Sequence, residues 1–338
     1  MPEATTRSGA DPRRGVRRLA IASVGATLVL IAMGGAVRAT DSGLACPDWP
    51  ACYGQWIPPA DLNMWLEHSH RLWAGVVGLM ILWLTVLALV RHRDEPRLWR
   101  IGALACGLVL VQAGLGAAVV LLHLRAGLVT SHLVMSWIIV GSLIAIAALA
   151  RRPSDDTVTL PVQRQVGRWS AIVAVAVLVQ GGLGSQATGR GAAYVFNALP
   201  IWLADQSWTG HIREVLHVTH RFAGYLVAGA VVWLAVAAHR RWRANPGMPR
   251  WVTLVPSIAV VLVLVQVGLG ISNVLTRAAV WSAIGHLTIA SWLWTAVAVA
   301  AALGLAHPSA RGRGSRAVAG IGKERRGGHE RIEEEATL

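Results

Sequence analysis

Residues 65–75, WLEHSHRLWAG, set a carboxylate, two imidazoles and a guanidinium at the mouth of a long apolar run. Residues 215–225, VLHVTHRFAGY, repeat the oddity, with His220-Arg221 standing as His70-Arg71 did. The chain around them is 54% hydrophobic and 14% charged, against about 25% charged in a usual soluble domain. Apolar stretches cover Leu19–Val37, Leu72–Val90, Ile101–Leu122, Leu133–Ala150, Trp169–Ala187, Phe222–Ala238 (extending back through Leu216), Trp251–Leu275 and Ala278–Ala306. At 1.5 Å per helical residue each can cross roughly 30 Å of hydrocarbon. The expected fold class is an all-α membrane protein with eight transmembrane helices. The first stretch continues into GGAVRATDSG rather than a small-residue cleavage site, so it reads as helix one and not as a signal peptide.

A net charge of +14 invites a nucleic-acid partner, and the position of the charges removes the need for one. With the first loop outside, Arg38, Arg71, Arg125, Arg190, Arg213, Arg221 and Arg277 lie on that side. The other 24 of the 31 Lys+Arg fall in the termini and alternate loops, such as RHRDEPRLWR and HRRWRANPGMPR. This is the positive-inside bias of a multi-pass protein with both termini cytoplasmic, and the anionic leaflet of the bilayer accounts for the basicity. Residues 1–18 read as a basic cytoplasmic segment. The tail 307–338, rich in Gly and Arg and without period, reads as disordered and cytoplasmic.

The chain is written twice. Gln112-Ala-Gly-Leu-Gly116 precedes His132 by 20 residues, as Gln266-Val-Gly-Leu-Gly270 precedes His286. The His-Arg pairs are 150 apart, the other two histidines 154, and Gly34-Gly35 is matched to Gly181-Gly182. Four helices per unit give both halves one orientation, so the repeat is parallel with its axis along the membrane normal. The expectation is two four-helix bundles, 19–150 and 169–306, joined by the basic linker 151–168. His70, His132, His220 and His286 then enter from helices two, four, six and eight in the outer half of the membrane, two per bundle.

A lone histidine near a helix end is ordinarily interfacial, and His68, His211, His92, His239, His307 and His329 are read so or as cytoplasmic. The places of His123 and His217 stay open. The repeated four differ, because ionisable groups inside a membrane normally mark function. Two facing helices giving one imidazole each build an axial pair for heme iron. Zinc would need three or four close ligands, and helices four and eight lack the carboxylates of a di-iron bundle. Glu67, three residues before His70, has His217 as its counterpart, so one half alone carries a carboxylate beside its pair. It would serve proton handling or charge stabilisation, or simply pair with Arg71. Cys46 and Cys52 sit in an outer loop where either a structural disulfide or an exchangeable pair is plausible. Cys106 reads as packing.

GGAVRATDSGLACPDWPACYGQWIPP, WLEHSHRLWAG, TSHL, HVTHRFAG and IGHLTIA together resemble the heme A synthase family, over roughly Leu19–Ala306. The resemblance implies oxidation of the C8 methyl group of heme O to a formyl group, giving heme A for terminal oxidases. It implies heme b on His220 and His286, and substrate heme O against His70, His132 and Glu67. It also implies a bacterial cytoplasmic membrane location, a heme O synthase as donor, a terminal oxidase in assembly as recipient, and scope for a homo-oligomer. The family's first-loop cysteine pair falls on Cys46 and Cys52. The second pair found in some members has no counterpart in GRGAAYVFNALPIWLADQSWTG (residues 189–210). The rivals are a non-enzymatic bis-histidine diheme electron carrier of the b type, a heme-handling oxidase assembly factor, and a transporter built on a parallel repeat.

Overall fold

The computed structural model describes residues 11, 13–151, 158–192, 195–196 and 211–306. The tail 307–338, with His307 and His329, and most of the basic segment 1–18 before α1 lie outside that set. Among the described residues there are eight helices and no strand: α1 Arg14–Ala39, α2 Leu62–Arg91, α3 Pro96–Leu121, α4 Ala126–Leu149, α5 Leu160–Gly189, α6 Ile212–Arg243, α7 Trp251–Leu275 and α8 Val280–Leu305. All eight are long and apolar enough to cross a membrane, and the chain is a multi-pass membrane protein.

Local chemistry sets the ends. Asp61 caps α2 by accepting from the Met64 N–H at 3.0 Å. Pro96 opens α3, where its missing N–H leaves nothing unpaired. The turn from α3 to α4 passes through His123 and Leu124 at φ 54° and 56°, and that from α7 to α8 through Arg277 and Ala278 at 52° and 56°. Non-glycine residues rarely adopt this region, yet the same tight turn is made twice, 154 residues apart.

Several helices run past their apolar stretches. α1 begins at Arg14 rather than Leu19, and α5 at Leu160, inside the segment read as the 151–168 linker. Hydropathy stops where the hydrocarbon stops, whereas the backbone spiral continues through residues such as Arg14 and Arg18, whose side chains are exposed.

α1 packs on α2 and α4, and α3 lies between α2 and α4; likewise α5 packs on α6 and α8, with α7 between α6 and α8. The two sets meet through α1 on α8, α4 on α5 and α4 on α8. At the central seam Trp137 is buried, and its Nε1–H donates to Ser291 Oγ at 3.0 Å. Those positions are 154 apart, so each is the other's counterpart in the repeat. α5 and α8 approach backbone to backbone, since a Cβ on Gly167 would come 2.8 Å from Gly304 Cα. Such contact is what small residues permit between helices that gain no hydrophobic drive from lipid. Leu79, Leu110, Leu226 and Leu264 remain more than half exposed, as lipid-facing side chains must.

Candidate functional site: two histidine pairs

Each of the four histidines sits early in an even-numbered helix. His70 and His220 are the ninth residues of α2 and α6, His132 and His286 the seventh of α4 and α8. Each ring lies against a glycine of the preceding odd-numbered helix. A Cβ built on Gly34, Gly116, Gly184 or Gly270 would come 3.0, 3.2, 2.7 or 3.3 Å from Cε1 of His70, His132, His220 or His286. The register read from the sequence is corrected here: the counterpart of Gly34 is Gly184, whereas Gly181 accommodates Trp137, its built Cβ falling 2.6 Å from that ring. The signal was present in the chain. Gln180-Gly-Gly-Leu-Gly184 is a third copy of the Gln-x-Gly-Leu-Gly pattern, and residues 30–34, LIAMG, are the divergent fourth.

The rings of the carboxyl-terminal pair meet. His220 and His286 have centroids 6.5 Å apart with planes at 76°, and His70 and His132 are close enough to interact electrostatically. With metal–imidazole bonds of about 2.0–2.1 Å, as in zinc sites, two imidazoles on one ion have centroids roughly 6–6.5 Å apart. The His220–His286 spacing fits that geometry. Nδ1 of His70, His132 and His286 is buried without a hydrogen-bond partner, a condition that buried polar atoms avoid unless something absent completes them. Among the described residues no three His, Cys, Asp or Glu side chains gather as a zinc or di-iron site requires. The donor set therefore fits a bis-imidazole heme.

Glu67 is 3% exposed and both of its oxygens are engaged. Oε2 accepts the Cys46 N–H at 2.8 Å and Oε1 takes Arg71 Nη2 at 2.5 Å. Arg71 in turn donates to the carbonyls of Cys46 (3.0 Å), Asp48 (2.6 Å) and Ala51 (2.6 Å). One ion pair on α2 thus holds the whole loop, in which Cys46 and Cys52 form a disulfide with both residues fully buried. Asp48 closes it further, accepting from the N–H groups of Tyr53 (2.7 Å) and Gly54 (2.6 Å). The Gly54 N–H foremost, with the Tyr53 N–H and the Arg71 charge, holds the Asp48 carboxyl below its usual value. The second half repeats the anchor: Arg221 donates to the Phe196 carbonyl at 2.9 Å, again 25 residues upstream. His217, in the place of Glu67, bonds the Ala192 carbonyl through Nδ1 at 2.5 Å.

Other residues fall differently from their sequence reading. His68 is 1% exposed, with Nε2 on the Trp56 carbonyl at 2.8 Å, because the disulfide loop folds over the start of α2. His92 is buried with Nδ1 3.6 Å from Glu95. His123 is exposed in its left-handed turn. The second half does carry a buried carboxylate: Glu214, six residues before His220, is 9% exposed. An alignment by offset sets it opposite Met64 and hides it. His211 and His239 are exposed, as expected of them.

A family model of cytochrome oxidase assembly proteins matches residues 17–298. The chain is similar to the heme A synthase of Shewanella oneidensis, with 27% identity over 77% of this chain and 88% of that one. It is similar also to the heme A synthase of Shouchella clausii (27%; 83% and 94%) and that of Methylobacterium radiotolerans (27%; 90% and 95%).

Proposed function

The chain belongs to the heme A synthase family of cytochrome oxidase assembly proteins, and from that premise we propose that it oxidises the C8 methyl group of heme O to the formyl group of heme A. The change from methyl to formyl removes two hydrogens, adds one oxygen and withdraws four electrons. The observation that carries the reading is the duplication of one buried imidazole pair, with a loop-anchoring carboxylate beside His70 and an imidazole, His217, in its place beside His220.

In this reading His220 and His286 hold heme b, which when bound supplies one-electron redox chemistry. His70 and His132 orient the substrate heme by its iron. Glu67, one turn before His70, is oriented by Arg71 and the Cys46 N–H and takes up protons released as C–H bonds break. The disulfide loop lies over the start of α2 and keeps water from the reacting edge. The two halves act as parallel repeats, 19–150 for substrate and 169–306 for heme b, in a bacterial cytoplasmic membrane with both termini inside. Heme O arrives from a heme O synthase, and heme A leaves to a terminal oxidase under assembly; self-association of the chain is compatible with this.

One observation favours a second reading. Both Glu67 oxygens are used in holding the loop, as they would be in a diheme electron carrier with no chemistry to perform. Hemes extracted from wild type, Glu67→Ala and His286→Ala, each purified from cells that make heme O, separate the two. The synthase yields heme A in wild type and heme O or its alcohol in Glu67→Ala. Heme b alone in every sample overturns the synthase and leaves the carrier.

A further inference from the structure

The four histidines occupy equivalent places, but the residues that touch them do not match. Four residues before each cradling glycine stands Leu30, Gln112, Gln180 or Gln266. Gln180 Nε2 lies 3.0 Å from His220 Nδ1 and donates to the His220 carbonyl at 2.7 Å. Gln266 Nε2 lies 3.2 Å from His286 Nε2. Both rings of the carboxyl-terminal pair thus carry an amide. In the amino-terminal pair neither does. Gln112 Nε2 reaches only the His132 carbonyl, at 3.0 Å, and Leu30 has no amide to offer His70. The backbone carbonyls of Leu30 and Gln180 lie beside their rings alike, so the side chain is what differs. Nδ1 of His70, His132 and His286 alike is buried without a partner, so the halves differ in their amides and not in that atom.

We propose that Gln180 and Gln266 are positioning residues that fix His220 and His286 as a permanent ligand pair, while Leu30 and the backbone-directed Gln112 leave His70 and His132 free to capture and release. Both contacts are made by the amide nitrogen, and Gln180 is tied by the same nitrogen to the His220 backbone, so each amide fixes the ring it touches in one orientation. A side chain held against a ligating histidine fixes its ring, and loss of such a partner typically weakens metal affinity about 10–100-fold. The asymmetry therefore makes one half a resident cofactor site and the other an exchange site within a single repeated scaffold. The inference rests on the reading that all four histidines carry heme iron.

The test is heme transfer from purified, fully loaded protein to excess apomyoglobin, followed by absorbance. Wild type is expected to lose heme in two phases, with the slow phase assigned by its loss in His286→Ala. Gln180→Leu, which installs the residue of the first half at near-constant volume, is expected to speed the slow phase about 10-fold or more. Leu30→Gln is expected to slow the fast phase, and being a gain it does not depend on Gln180→Leu remaining folded. Electron paramagnetic resonance of the slow-phase heme should shift in Gln180→Leu, which a merely structural role would not produce. Two phases with rates unchanged in both variants overturn the glutamine proposal and leave the heme reading standing. A wild type whose heme binding is insensitive to all four histidines overturns both.

Discussion

The glycine opposite each histidine makes a graded series whose order follows from distance. An alanine at 184 places Cβ 2.7 Å from His220 Cε1, where ordinary contact starts at 3.4 Å, a shortfall of about 0.7 Å. The same reckoning gives about 0.4 Å at Gly34, 0.2 Å at Gly116 and 0.1 Å at Gly270. Glycine to alanine in a helix interior gains about 1 kcal/mol of backbone preference, whereas overpacking costs typically 1–3 kcal/mol. Gly184→Ala should therefore be neutral to about 2 kcal/mol destabilising, and Gly270→Ala neutral or slightly stabilising. Gly25→Ala and Gly229→Ala, with nothing within 4 Å of the added carbon, should show the gain alone. A 0.7 Å displacement is a third of a metal–imidazole bond of about 2.0–2.1 Å, so heme held by His220 should fall more steeply than stability does. Heme per protein and the thermal midpoint by tryptophan fluorescence, measured across the six variants in detergent, check both. If Gly184→Ala keeps its heme and its midpoint like Gly229→Ala, the cradle argument is wrong.

Three further outcomes follow from the loop and the seam. Arg71→Lys replaces a fork that serves four carbonyls and Glu67 with a single ammonium, so the buried Cys46–Cys52 disulfide should be reduced by dithiothreitol several-fold faster; an unchanged rate would mean that Arg71 does not hold the loop. The Asp48 carboxyl titrates below its usual value in the folded loop, so its contribution is complete above about pH 4 and is lost as pH falls through the lower folded value. Tryptophan emission from Trp49 and Trp56 should accordingly hold steady from pH 7 to 4 and change below, and Asp48→Asn should abolish that step. Trp137→Phe leaves the fully buried Ser291 without its indole donor and should lower stability by about 1 kcal/mol, while adding Ser291→Ala should recover part of it in a double-mutant cycle.

The eight helices were legible because apolar length is a strong signal, and the four repeated histidines stand early in α2, α4, α6 and α8 as their spacing implied. Helix parity put the four histidines on one side, and the expected division into two bundles paired His70 with His132 and His220 with His286. What stayed hidden lives in tertiary contact. That His68 is covered depends on how the loop folds back over α2, which no spacing reports. The Glu67–Arg71 pair was open to reading from its i, i+4 spacing, but the second bond, from the Cys46 N–H, depends on where the loop comes to lie. The shift of register from Gly181 to Gly184 was recoverable, since QGGLG stands in the chain, but a glycine doublet is common and drew the eye first. Glu214 stands 150 residues from Met64, so the spacing of the repeat gives it no acidic counterpart. The glutamine difference needed the side-chain contacts: as residue types Leu30 and Gln180 are merely two interior positions of two long helices.

The most direct test of the central claim is the heme content of membranes from a host that makes heme O and lacks any heme A synthase, with and without this chain. The account predicts heme A, with its formyl group, only where the chain is present. Heme O left unchanged, in membranes where the chain is folded and carries heme b, would contradict it.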